Sequence, residues 1–170
     1  FCMASAAAAG PRAFGIDRGM PFPMQDIAQT GAILMIGSNP AETLPPIMQY
    51  FEEQRDRGGT FIVADPRRTA TAKLATLHLQ LTPGTDAALA NGLLHIAIRR
   101  GLIDADFIEQ RTSGFERVKR MVASYWPDRV ERVTGVPVAQ LEKAAQILGE
   151  ADTAMLMTGR GPEQQSQGVN

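Results

Sequence analysis

The stretch "GAILMIGSNP" (31–40) decides the fold of this chain. Its apolar residues are continuous rather than alternating, and the run stops abruptly at Gly-Ser-Asn-Pro. A continuous apolar run that ends in turn residues is typical of a strand buried on both faces of a sheet. A second run of this kind, "TFIVADP" (60–66), is rich in β-branched residues and ends at a proline. Both runs predict strands of a parallel sheet.

Helical patterns alternate with strand patterns along the rest of the chain. Two further strands are predicted, one in "LHLQLTPG" (77–84) and one in "TAMLMTG" (153–159). Helices are predicted at these ranges: 46–57, 85–100 and 136–151, with short helices in series over about 104–132. This alternation predicts an α/β fold with a doubly wound, mostly parallel sheet, flanking helices and a helical insertion.

Composition and charge narrow the class of protein. The chain has 170 residues, 44% of them hydrophobic and 21% charged, which is ordinary for a globular domain. The formal net charge is −1, so the chain lacks the excess of basic residues that nucleic-acid-binding proteins need. Apolar runs fall short of the roughly 20 residues that cross a bilayer. We therefore expect neither a nucleic acid nor a membrane as partner.

Cys2 is the only cysteine. A single cysteine forms no internal disulfide, which favours a reducing compartment such as the cytoplasm. It also cannot hold an iron–sulfur cluster, which takes about four thiolates. The two histidines, His78 and His95, lack a second ligand at zinc spacing. Any metal is therefore expected to arrive largely within a cofactor, and without one Cys2 is most simply an inert thiol.

Each predicted strand is followed by polar residues together with glycine or proline. The four stretches are "GSNPAE" (37–42), "ADPRRT" (64–69), "TPGTD" (82–86) and "TGRGPEQ" (158–164). In open parallel sheets, ligands bind beyond the carboxyl ends of the strands, where loops lead into helices. Four such loops predict one binding crevice at that edge.

The first loop has residues suited to a phosphate or a ring edge. Gly37 allows close approach of the backbone, and Ser38 and Asn39 are short polar side chains. Helices that begin after such loops supply free N–H groups to a pyrophosphate. The simpler interpretation is that Gly37 and Asn39 only form a turn.

The next two loops contain charged candidates. Asp65 follows a strand, where nucleotide-binding sheets place a carboxylate against ribose hydroxyls. Asp86 is an acceptor for the paired N–H donors of a guanine edge, and Arg67 and Arg68 are suited to phosphate. The simpler interpretations are that Asp86 caps a helix and that the arginines are solvated. No G-x-G-x-x-G fingerprint is present, which argues against plain NAD binding.

Five motifs in one order resemble a known family. They are "FCMASAAAAGPRAFG" (1–15), "MIGSNPAETLPP" (35–46), "VADPRRTATA" (63–72), "HLQLTPGTDAALANGLLH" (78–95) and "TGRGPEQQSQG" (158–168). Together they are similar to the molybdopterin oxidoreductases of the dimethyl sulfoxide reductase family, most of all to its bacterial assimilatory nitrate reductase branch. The resemblance implies a Rossmann-like domain that is an internal fragment of a longer catalytic subunit.

The resemblance also implies a cofactor, bis-molybdopterin guanine dinucleotide with molybdenum. Cys2 would be the catalytic residue and the protein's ligand to the metal, because a soft thiolate suits a metal already held by dithiolene sulfurs. Nitrate would be the substrate and nitrite the product. Electrons would come from a donor protein or subunit through an iron–sulfur cluster in the parent chain, outside this fragment. The isolated fragment is expected to be inactive.

Positions in the first two loops match the family's cofactor contacts. Gly37, Asn39 and Glu42 match the loop at a pterin–phosphate unit. Asp65 and Arg67 match the region around one guanosine.

The third and fourth loops match as well. Gly84 and Asp86 lie in the turn that recognises guanine. Gly159, Gly161 and Gln164 lie in the loop that closes over the cofactor.

The resemblance divides the chain into three parts. Residues 1–30 form a segment that carries the metal-ligand cysteine, 31–158 form the cofactor-binding domain with its helical insertion, and 159–170 form a truncated loop that covers the cofactor.

Two alternatives remain open. One is another molybdopterin oxidoreductase, such as a formate dehydrogenase, although Met3 stands where those enzymes typically have histidine. Gln165 also departs from the family, whose members usually have histidine there. The other alternative is a non-catalytic guanine-nucleotide-binding module in which Cys2 is incidental.

Overall fold

Four parallel strands form the sheet within the residues that the structure, a computed structural model, describes: 4–15, 20–166 and 168. They are β1 (Ala32–Ile36), β2 (Thr60–Ala64), β3 (Leu77–Leu79) and β4 (Ala154–Thr158). Their order is β3-β2-β1-β4, and every neighbouring pair is parallel. The predicted α/β fold with a parallel sheet is confirmed.

β1 lies at the centre of the sheet because it pairs on both sides. Ile33 is in register with Phe61 of β2 and with Met155 of β4. Ile33 and Phe61 are fully buried, as expected of continuous apolar strands with helices on both faces. In the described part of the chain β4 is an edge strand, and its Leu156 is 70% exposed.

Helices connect the strands and cover both faces of the sheet. They are α1 (Ala4–Phe14), α2 (Gln25–Gln29), α3 (Pro40–Thr43), a 3-10 helix (Pro45–Ile47), α4 (Met48–Asp56), α5 (Ala70–Leu74), α6 (Asp86–Arg100), α7 (Ala105–Arg111), α8 (Phe115–Val122), α9 (Pro127–Thr134), α10 (Val138–Glu150) and α11 (Arg160–Glu163). The series α7 to α9 is the predicted helical insertion. No helix among the residues just given is long and apolar enough to cross a bilayer.

Two hydrophobic cores lie on opposite faces of the sheet. On one face, Leu34 and Ile62 pack with Leu89, Val130 and Leu141, which belong to α6, α9 and α10. On the other, alternate residues of β1 and β2 pack against α2, α4 and α5. Successive strand residues point to opposite faces, so a strand that serves two cores must be apolar throughout.

The structure differs from the prediction in two loops. β3 ends at Leu79 instead of continuing to residue 84, because the chain turns there: the N–H of Leu81 donates to the carbonyl of Leu79. After β4, where only a loop is predicted, Arg160–Glu163 form α11, in which Arg160 and Glu163 form an ion pair.

Gly92 of α6 provides a test of the packing. A Cβ at Gly92 would lie 2.7 and 2.9 Å from the two γ-carbons of Val130. Alanine ordinarily stabilises a helix by about 1 kcal/mol relative to glycine. We expect Gly92→Ala to lower the free energy of unfolding by about 1–3 kcal/mol instead, because it overpacks the contact between α6 and α9. Urea denaturation measures this change. Val130→Ala should lower the free energy of unfolding by less in the Gly92→Ala background than in the wild type. Additive effects of the two substitutions would contradict the contact.

Candidate functional site

The four predicted loops lie at the carboxyl edge of the sheet, because all four strands are parallel. The chain proceeds from β1 to β2 to β3 in one direction and then returns to the far side of β1 with β4. The strand order therefore reverses between β1 and β4, and such a reversal is where open α/β sheets bind ligands. This reversal lies at the edge where the sequence predicts a binding crevice, which stays a prediction.

The loops after β1 and β4 contact each other through glycines. The N–H of Gly159 donates to the carbonyl of Ile36 at 2.9 Å, and the N–H of Gly161 donates to the carbonyl of Gly37 at 3.0 Å. A Cβ on Gly161 would lie 2.6 Å from Gly37 Cα, and one on Gly37 would lie 2.4 Å from Pro162 Cδ. These glycines are therefore required by contact between the two loops, whatever approaches from outside.

A small cavity lies next to this contact. Its volume is about 150 Å³, smaller than the roughly 300–1,000 Å³ of pockets that enclose a drug-sized ligand. It is therefore suited to one end of a larger molecule. The lining residues are Ile36, Gly84, Asp86, Ala87, Ala90, Asn91, Thr158, Pro162, Gln165 and Gly168.

Asp86 is the acidic side chain in this lining. Burial raises the pKa of its carboxyl above the usual value, a backbone hydrogen bond lowers it, and the negative charge of Asp65 raises it further. Asp86 is the first residue of α6 and not its N-cap, which is Thr85. Because its charged form lacks full solvation, Asp86 is suited to accept N–H donors from a ligand.

Asp65 is nearly fully buried at the end of β2. Its Oδ1 accepts the N–H of Arg67 at 2.8 Å, which closes a turn. Nε2 of His78, on β3, lies 2.9 Å from the Asp65 carbonyl, and it must donate because a carbonyl only accepts. The guanidinium groups of Arg67 and Arg68 are exposed at this loop.

Asn39 is hydrogen-bonded to α5, the helix that follows the loop after β2. Its Oδ1 accepts the hydroxyl of Thr71 at 2.8 Å and the Thr71 N–H at 3.3 Å. Asn39 is thus more than a turn residue, since its side chain joins the first loop to α5, the helix that follows the second loop.

The remaining predicted residues lie around this arrangement. Ser38 is half-buried beside Gly159, where a Cβ on the glycine would lie 2.7 Å from Ser38 Cβ. Glu42 and Gln164 are exposed and do not line the cavity. Cys2 lies outside the described residues, so its role as metal ligand stays a prediction. Among the described residues, no group of three or more His, Cys, Asp or Glu side chains is placed to hold a metal.

The helices that directly follow three of the loops are short. α3 and α11 have four residues each and α5 has five, whereas α6 has 15. A helix dipole builds up over several turns, so among these four helices α6 alone offers a developed positive end. The predicted contribution of helix N-termini is therefore concentrated at Asp86.

Sequence reasoning missed Asn91 and Thr71. Asp86 and Ala90 are four residues apart on α6, as are Ala87 and Asn91, and all four line the cavity at the start of the helix. That spacing was available in the sequence. Thr71 had no comparable signal, because its partner Asn39 is 32 residues away.

Comparison with known proteins decides the family. The model of the molybdopterin oxidoreductase family matches residues 1–170, the whole chain. This chain belongs to the molybdopterin oxidoreductases. The recognition made from the five motifs is confirmed, and family membership implies a molybdopterin cofactor.

Individual relatives agree with this assignment. The assimilatory nitrate reductase catalytic subunit of Bacillus subtilis is 47% identical over 168 residues, 99% of this chain and 24% of that protein. The F420-dependent formate dehydrogenase subunit alpha of Methanocaldococcus jannaschii is 38% identical over 86% of this chain and 22% of that protein. The structure of acetylene hydratase from Pelobacter acetylenicus superposes with a TM-score of 0.84 and 29% identity, over 99% of this chain and 23% of that one. This chain thus spans about a quarter of the length of these relatives.

The described residues fit part of a molybdopterin cofactor. The cavity has room for one end of it and presents an acceptor at Asp86. The side chains of Ser38 and Asn39, both half-buried in the loop after β1, are hydrogen-bond donors of the kind that a phosphate needs.

The pKa of Asp86 tests the geometry of the edge. Asp65→Asn removes the negative charge that helps raise this pKa but keeps an Oδ1 acceptor for the N–H of Arg67. We expect the Asp86 titration midpoint, followed by carboxyl ¹³C NMR, to move to lower pH in Asp65→Asn. Asp152→Asn, at an exposed position outside this edge, is the matched control and should leave the midpoint unchanged. Equal midpoints in Asp65→Asn and the control would show that the two carboxylates do not interact.

Proposed function

We propose that this chain is the dinucleotide-binding part of a molybdenum nitrate reductase that reduces nitrate to nitrite. Family membership supports the cofactor. The observation that favours nitrate is the 47% identity to a nitrate reductase catalytic subunit over nearly the whole chain, against 38% for the formate dehydrogenase subunit over 86% of the chain. The chain covers 24% of that nitrate reductase subunit, so the parent protein extends beyond it in this proposal.

The guanine end of a bis-molybdopterin guanine dinucleotide is assigned to the cavity at Asp86. A guanine edge presents two N–H donors side by side, and a carboxylate is an acceptor-only group with two oxygens. Gly84 precedes the helix with φ +83°, so its backbone adopts the left-handed region that favours glycine. The turn that brings Asp86 to the cavity therefore depends on a glycine at position 84.

The ribose and phosphates are assigned to the neighbouring loops. Asp65, which follows β2, is assigned to the ribose hydroxyls, and the exposed Arg67 is assigned to phosphate. The phosphate contacts are assigned to the first and fourth loops, at Gly37, Ser38, Asn39, Gly159 and Gly161. The roles of Glu42 and Gln164 rest on the family resemblance alone.

Cys2 is assigned as the protein's ligand to molybdenum. The metal centre, when bound, supplies the two-electron oxygen-atom transfer that nitrate reduction requires. The described residues bind and orient the cofactor's distal end, which fixes where its reactive end lies. An iron–sulfur cluster and an electron-donor protein belong to the parent enzyme in this proposal. The proposed location of the parent enzyme is the cytoplasm, which the presence of a single cysteine favours.

The reaction is tested in the full-length protein. We expect nitrate-dependent oxidation of reduced methyl viologen and no formate-dependent reduction of the oxidised dye. Cys2→Ser should lower nitrate turnover by a factor of about 10² or more while the cofactor content stays normal, because the metal loses its thiolate. Formate oxidation by the wild-type protein would favour the formate dehydrogenase alternative. Unchanged turnover in Cys2→Ser would contradict the ligand assignment.

The guanine assignment is tested by nucleotide binding to cofactor-free protein. GMP affinity should rise with pH through the acidic range, because the charged form of Asp86 is the one that accepts both N–H groups. Asp86→Asn should weaken GMP binding about tenfold or more and remove this pH dependence. IMP lacks the exocyclic amine, so the wild type should prefer GMP to IMP and Asp86→Asn should not. Isothermal titration calorimetry gives all four affinities, and equal GMP and IMP binding by the wild type would rule out this contact.

A further inference from the structure

We propose that Thr71 is a positioning residue, which fixes the Asn39 amide so that its N–H groups are available to an oxygen acceptor of the bound cofactor. The proposal rests on the proposed function, because it names a ligand group for the edge at which the cofactor is assigned. It adds a residue that touches no ligand itself and acts through Asn39.

Thr71 is fully buried in α5 and makes three hydrogen bonds with the first loop. Its hydroxyl donates to Asn39 Oδ1 at 2.8 Å, and its N–H donates to the same oxygen at 3.3 Å. The N–H of Ala41 donates to Thr71 Oγ1 at 3.0 Å. The Thr71 hydroxyl thus donates to Asn39 and accepts from Ala41, two residues of the first loop.

These partners settle which way the amide faces. A backbone N–H only donates, so the Asn39 atom that faces the Thr71 N–H must be the oxygen. The Ala41 N–H occupies a lone pair of Thr71 Oγ1, which leaves the hydroxyl proton for Asn39. The backbone N–H groups of Thr71 and Ala41 therefore determine which atom of the Asn39 amide is the oxygen.

The Asn39 amide nitrogen is left with two donors. Within residues 4–15, 20–166 and 168, Nδ2 of this half-buried side chain has no hydrogen-bond partner. Asn39 lies two residues after Gly37 at the point where the strand order reverses. Donors held in a fixed direction at this edge suit an oxygen acceptor such as a phosphate.

α5 is itself anchored to the loop that carries Asp65. The hydroxyl of Thr69, the N-cap of α5, accepts the N–H of Ala72 at 3.1 Å. Asp65 Oδ1 accepts the N–H of Arg67 in the same loop. Through Thr71, hydrogen bonds therefore connect the loop assigned to ribose with the loop assigned to phosphate.

Three variants of the full-length protein test the proposal. Thr71→Val keeps the shape and removes the hydroxyl, whereas Thr71→Ser keeps the hydroxyl. Asn39→Asp keeps an oxygen acceptor for Thr71 but replaces the two N–H donors with a negatively charged oxygen. The first measurement is the amount of GMP released from the bound cofactor per protein. The others are the rate at which the cofactor is lost on dilution and the melting temperature of cofactor-free protein.

We expect Thr71→Val to lose the cofactor about tenfold faster than the wild type, and Thr71→Ser to restore the wild-type rate. Asn39→Asp should keep the cofactor-free melting temperature of the wild type yet lose the cofactor at least as fast as Thr71→Val. This split separates ligand binding from a purely structural role, which would change both measurements together.

Several results would overturn the proposal. Wild-type cofactor loss in Thr71→Val would exclude a positioning role, and wild-type loss in Asn39→Asp would exclude the amide donors. If Thr71→Val does not fold, Asn39→Asp decides alone. The proposed function fails separately, namely if the wild-type protein releases no GMP, and the ligand assigned to Asn39 then fails with it.

Discussion

The burial of β1 on both faces is the constraint on which the rest of the structure depends. Ile33 and Leu34 point to opposite faces, and each packs into a different hydrophobic core. Because β1 pairs with β2 on one side and β4 on the other, it cannot slip by one residue without exchanging its two faces. This fixed register sets where Gly37 leaves the sheet and therefore where the loops after β1 and β4 meet.

The sequence was sufficient for features that depend on short-range pattern. Continuous apolar runs predicted β1 and β2, and parallel pairing then placed Asp65 and Asp86 near one edge, where their charges interact. Features that depend on distant contacts were missed. The Asn39–Thr71 contact joins residues 32 apart, and the contact of Gly37 with Gly161 joins loops separated by most of the chain. No local periodicity reports on such pairs.

Gly37 shows how one residue type supports two explanations. From sequence, its lack of a side chain suggested room for a ligand. The structure gives a reason that is independent of any ligand, because a Cβ would collide with Pro162 and Gly161. The two explanations are compatible, because a glycine required by contact between two loops can also lie next to a ligand.

The charge at Asp86 opposes folding stability. Because its pKa is raised, the folded state favours the neutral acid. Protonation of Asp86 therefore stabilises the fold: this contribution is complete below the pKa of Asp86 in the unfolded chain and is lost as pH rises through its pKa in the folded protein. At neutral pH the protein therefore keeps a carboxylate in a place that costs stability. A ligand with paired N–H donors would remove that cost on binding, which is consistent with the role proposed for Asp86.

The same reasoning separates cofactor binding from choice of substrate. The fold of this chain is shared, at a TM-score of 0.84, with a protein named as an acetylene hydratase, and much of its sequence with a nitrate reductase and a formate dehydrogenase. Proteins named for three different substrates are thus similar to this chain, one in structure and two in sequence. What family membership implies for this chain is the molybdopterin cofactor. The shared fold therefore supports the shared cofactor and does not by itself distinguish one substrate from another.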